Sequence, residues 1–186
     1  LQVAEATSFP SMVSGDPQAG QGVNLADIKA VTSGFPLRGR VRIAATPGGP
    51  ATDAADIPAP GTVWVPEVLL SRINARVGDE LRVGEARMRI AAVIVKEPDS
   101  VLDYFGIAPR VMMNMRDLAA TRLVQVGSRV TYRLLVAGDA AAVEAYPAWA
   151  GHLHSKRLQV QVASSRNTLN LLPRMLRIKP RNKFCP

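Results

Sequence analysis

His152 and His154 are the two histidines of the chain, and they stand two residues apart. On a strand, where side chains alternate between faces, that spacing turns both imidazoles the same way, as a zinc ion would require of two of its ligands. No third ligand of matching type is near them in sequence, so the pair by itself makes no metal site. Cys185 is the single thiol. Lys183 lies two residues away, but no histidine or helix start stands beside the sulfur, and it reads as an exposed terminal thiol rather than a nucleophile.

Asp16, Asp27, Asp53 and Asp56 lie in or near turn-rich stretches. Two of them brought together could act as general acid and base, while each taken alone serves as a turn former or cap. The glycines at 15, 20 and 22 are not followed by Gly-Lys-Ser/Thr, so they form no phosphate loop. Gly127-Ser128 lacks the Gly-x-Ser-x-Gly frame of a nucleophile elbow. No catalytic, cofactor-binding or metal residue is therefore assigned. The expectation is a protein that is not an enzyme and uses no cofactor.

The elements that would position these residues are mostly short strands. Leu1 to Thr7 alternates as a strand, and Ser8-Phe9-Pro10 reads as its breaker. Ser14 to Gly22 is a turn-rich connection, and Val23 to Val31 is the returning strand. After Gly34-Phe35-Pro36-Leu37-Arg38-Gly39, Arg40 to Ala44 alternates again. Thr46 to Pro60 holds four prolines and one large apolar side chain, Ile57, which predicts a mobile or functional excursion. Val63 and Val65 flank Trp64, which reads as a core residue rather than a binding platform. Pro66 then opens a helix whose stripe is Val68, Leu69, Arg72 and Ile73 and which Gly78 ends. Leu81 and Val83 form a strand, and Gly84-Glu85 turns into a partner with Met88, Ile90, Ala92 and Ile94 on one face. Leu102, Tyr104 and Phe105 form an apolar loop that either plugs the core or makes a contact patch. Arg110 to Met113 is a strand, Asn114 caps a helix from Met115 to Leu123, and Val130 to Val136 is a strand. Asp139 caps a last helix, through Tyr146.

The net charge of +8 is unevenly placed. Residues 1–146 hold 15 bases and 15 acids, whereas residues 147–186 hold eight bases and no acid. The average would imply a nucleic-acid or anionic-surface binder. The distribution implies a neutral globular body followed by a basic tail. Within that tail Lys156 to Ala163 alternates and could pair as a strand, and Leu169 to Ile178 is a basic, apolar stretch interrupted by Pro173. A small β-rich domain binding nucleic acid or an anionic surface through the tail is the alternative reading, and its binding would weaken steeply with salt. With one cysteine no internal disulfide forms. No signal peptide and no apolar run of spanning length is visible.

The order and spacing of several blocks carry a family likeness. Ser8-Phe9-Pro10-Ser11-Met12-Val13 is followed by Lys29-Ala30-Val31 and Gly34-Phe35-Pro36-Leu37-Arg38-Gly39. Gly61-Thr62-Val63-Trp64-Val65 precedes Val77-Gly78-Asp79 and Leu81. Ala108-Pro109-Arg110-Val111-Met112-Met113-Asn114, Asp117-Leu118-Ala119-Ala120-Thr121 and Gly127-Ser128-Arg129-Val130 through Leu134 complete the series. Residues 1–146 thereby resemble the extracytoplasmic domain of FtsX-like (MacB-type) ABC transporter permeases, nearest the subgroup named for lysophospholipase L1 biosynthesis. The resemblance implies an α+β fold, a mixed α/β lobe with an inserted β-rich lobe, incomplete at its N-terminus. It implies a bacterial inner-membrane protein of which residues 1–146 are a periplasmic domain fragment. Such a domain does no chemistry, and transmits motion from a separate cytoplasmic ATPase subunit to an envelope amphiphile or lipoprotein-type substrate. A periplasmic amphiphile, esterase or lipoprotein is then a partner, and specific nucleic acid is not. Membrane contact would come through spans outside this chain. Residues 147–186 depart from the pattern and are expected not to belong to the domain, as a truncated or frame-disrupted gene product would explain.

Overall fold

Alternating apolar residues with turn formers between them produce a sheet, and here the sheet closes on itself. The computed structural model describes residues 1–98, 108–125 and 127–139, and the backbone of 158–163. The strands are β1 (Gln2–Ser14), β2 (Val23–Val31), β3 (Arg42–Ala44), β4 (Thr52–Asp53), β5 (Thr62–Pro66), β6 (Glu80–Val83), β7 (Ala86–Lys96), β8 (Arg110–Asn114), β9 (Thr131–Ala137) and β10 (Leu158–Ala163). Helix α1 (Glu67–Ile73) follows β5. β1 pairs with β2, β2 with β8, β8 with β5, β5 with β7, β7 with β6, and β6 returns to β1. These six strands form a closed barrel, which removes the unpaired edges an open sheet would present.

The barrel is filled by Phe9, Val13, Ala26, Ile28, Val63, Val65, Leu81, Val83, Met88, Ile90, Val111 and Met113, with Leu69, Leu70 and Ile73 of α1 packed against them. A second cluster covers part of the barrel's outer face. In it Ala4, Ala6, Val31, Trp64, Ala92 and Met112 meet Phe35 and Val41 from the β2–β3 segment. Trp64 is thus a core residue, as expected. Outside the ring, β9 runs antiparallel to the first half of β1, and β10 runs parallel to β9. The strand expected within Lys156 to Ala163 is therefore present as Leu158–Ala163. Among the described residues no helix is long and apolar enough to cross a membrane.

Several expectations are corrected, each for a local reason. Pro10 does not break β1. The Asp27 amide points to β8, donating to Pro109 at 3.0 Å, so Pro10, which faces Asp27, turns its nitrogen away from β2. On that other side β9 has ended at the Ser8–Thr131 pair and β6 has not begun before Val13. A residue without an N–H fits that gap at no cost to the ladder. The Thr46–Pro60 segment is packed rather than an excursion: Thr52 pairs with Ile43, Ala54 and Ile57 join the second cluster, and Asn114 donates to the Pro58 carbonyl at 2.9 Å. A bulge in the β5–β7 pairing puts Ala91 out of register between Ile90 and Ala92. The extra residue reverses the alternation, so Val93 continues the barrel interior while Ala92 and Ile94 turn outward.

Helix α1 buries Leu69, Leu70 and Ile73, leaving Val68 exposed, and ends on Asn74 in the left-handed region rather than at Gly78. The helix expected over Met115–Leu123 is two short 3-10 turns, Met115–Asp117 and Ala119–Thr121, with Asn114 capping the first through Arg116. The Leu102, Tyr104 and Phe105 loop, the helix through Tyr146, the two histidines, Cys185 and Leu169–Ile178 lie outside the described residues.

The β6–β7 turn gives a direct test of this packing. Gly84 has a φ of +59°, and a Cβ there would strike the Thr121 carbonyl oxygen and lie 2.7 Å from Leu123 Cγ. Gly84→Ala is expected to cost about 2–4 kcal/mol of stability, since left-handed backbone strain and a clash with backbone act together. Urea unfolding of the two proteins measures it.

Candidate functional site

On β2 the odd-numbered residues share one face, and this face carries both charged residues of the strand, Asp27 and Lys29. The parallel register sets Arg110 of β8 beside Asp27 and Met112 beside Lys29. Glu97 follows the last residue of β7 and reaches in from the side. Arg110 Nε and Nη2 donate to Asp27 Oδ2 at 3.1 and 3.0 Å, and Nη1 donates to Glu97 Oε2 at 3.1 Å. Lys29 Nζ donates to Glu97 Oε1 and sits 4.4 Å from the centre of the Phe35 ring. Lys29 is completely buried, Glu97 is 5 % exposed and Arg110 15 %. Among the described residues, two cations and two carboxylates thus form a mutually hydrogen-bonded group in the outer face of the barrel.

Beside it lies a pocket of about 200 Å³ lined by Ser8, Phe9, Pro10, Asp27, Arg110, Arg129, Thr131 and Arg133. Pairing explains the assembly. Ser8 faces Lys29 on one side and Thr131 on the other, Pro10 faces Asp27, and Arg133 faces Ala6 one row further on. Directly opposed residues share a sheet face, so this row of polar groups runs across β9, β1, β2 and β8.

The aspartates weighed as catalytic carboxylates are held in separate contacts. Asp16 caps a 3-10 turn by accepting from Gln18 N, and Asp56 accepts from Ile57 N. Asp53 lies near Arg40 and Arg42 at the exposed end of β4. Asp27 belongs to the buried charged cluster, where its carboxylate accepts from the Arg110 guanidinium rather than facing a second carboxylate. Ser128 Oγ donates to the Leu123 carbonyl and accepts from Gln125 N, which makes it a turn residue. Gly20 occupies the left-handed end of the turn that Asp16 starts. Among the described residues no group of three histidines, cysteines or carboxylates could hold a metal ion.

The Lys29–Glu97–Arg110 arrangement was missed at the level of sequence. Its trace was a lysine and an aspartate two apart inside a strand, matched by an arginine at the start of another.

No protein-family model matches the chain. Over 149 residues, 80 % of its length, it is 35 % identical to YbbP, an uncharacterized ABC transporter permease of Escherichia coli (strain K12). The likeness is to an ABC transporter permease. The chain spans 17 % of the length of that relative. This similarity supports an ABC permease family for the chain, as the block pattern implied.

A buried charge whose partner is removed typically costs about 3–5 kcal/mol, whereas removing both members of a pair costs far less. Glu97→Gln and Lys29→Met are each expected to destabilise the fold by that amount. The double variant, which restores neutrality and keeps an acceptor for Arg110, should recover most of the loss in chemical denaturation.

Proposed function

We propose that this chain is a periplasmic domain segment of an FtsX-like (MacB-type) permease of the bacterial inner membrane, in the subgroup named for lysophospholipase L1 biosynthesis. In this reading it does no chemistry. It transmits motion from a cytoplasmic ATPase subunit, through parts of the permease outside this chain, to the handling or export of an envelope amphiphile or lipoprotein-type substrate. The barrel would be the β-rich lobe, and a periplasmic esterase or lipoprotein a further partner.

The observation that carries the reading is the 35 % identity with YbbP over 149 residues. The architecture is in keeping with it. A barrel whose strands are hydrogen-bonded all the way round, with a buried ionic tie, is a stiff body, which a mechanical transmitter requires.

Two measurements test it. The chain's matched segment is exchanged into YbbP in a cysteine-free background, and a single cysteine is placed at the exposed position 53. A membrane-impermeant maleimide is expected to label it in intact cells, and labelling only after lysis would overturn the location. With the purified permease–ATPase assembly in vesicles, ATP-dependent extraction of a fluorescent lysophospholipid is expected to need the segment. Equal extraction after its deletion would overturn the transmitting role.

A further inference from the structure

No further inference is drawn: the strongest candidate, the exposed apolar patch of Met12, Leu25 and Val23 on the outer barrel wall where β1 pairs with β2, carries nothing because nothing in the structure shows what covers it.

Discussion

The burial of Lys29 is the constraint around which the outer face of the barrel is arranged. A completely buried ammonium must have a partner, because leaving it unpaired costs far more than a domain's margin of stability. Glu97 provides that partner, and it can do so only if the end of β7 lies against the middle of β2. The second carboxylate oxygen then engages Arg110, and Arg110 engages Asp27. One chain of contacts therefore joins β2, β8 and the end of β7. It also fixes the β2–β8 pairing, since a slip of one residue would put Asp27 and Lys29 on the opposite face, inside a barrel lined by Ile28, Val63 and Met113. Well-packed apolar residues could match the stability of such a group. What the charges add is a single permitted register.

The same face explains why the segment after β2 is ordered. Phe35 lies over the Lys29 ammonium, and its ring belongs to the apolar cluster that Val41, Trp64 and Met112 complete. The ionic group and this apolar cover protect one another. The cover excludes water from the salt bridges, and the neutralised charges let apolar side chains pack beside them. With the barrel interior on the other side, β2 is buried on both faces from Ile28 to Val31. A strand in an antiparallel hairpin seldom has both faces covered; here its other neighbour is parallel.

What the sequence made legible follows from the range of the forces involved. β2 and the β6–β7 hairpin announce themselves, because Val23–Val31 and Leu81–Ile90 carry local alternation and, in the hairpin, a glycine turn. The blocks that carried the family likeness were legible for another reason: their order is a pattern over most of the chain, and it agreed with the similarity to YbbP at the level of an ABC permease. The failures share a cause in long-range contacts. Whether Pro10 interrupts a strand depends on where β9 stops and β6 starts, more than seventy residues away in sequence. The reversal of faces at Ala91 depends on the register against β5. The proline-rich stretch before β5 is held by Ala54, Ile57 and an Asn114 side chain that no local pattern connects to it. The charged group was hidden for the same reason, since Lys29 and Glu97 are separated by 68 positions. The pocket's arginines come from β8, β9 and the segment before β9, and meet only through pairing.

β1 belongs to two structures at once. Its first residues, Gln2–Ser8, are laddered to β9, and its later ones, Ala6–Ser14, to β2. The thirteen residues at about 3.4 Å of rise each reach roughly 44 Å in an already extended backbone, which has almost no slack left to give. Along its own axis β1 is a strut. The β9 ladder and the barrel wall are clamped to the same rod, so a displacement applied lengthwise to one is delivered to the other at nearly full amplitude. Sideways, the gap at Pro10, between the end of β9 and the start of β6, leaves the rod held on one edge only, and there it can flex.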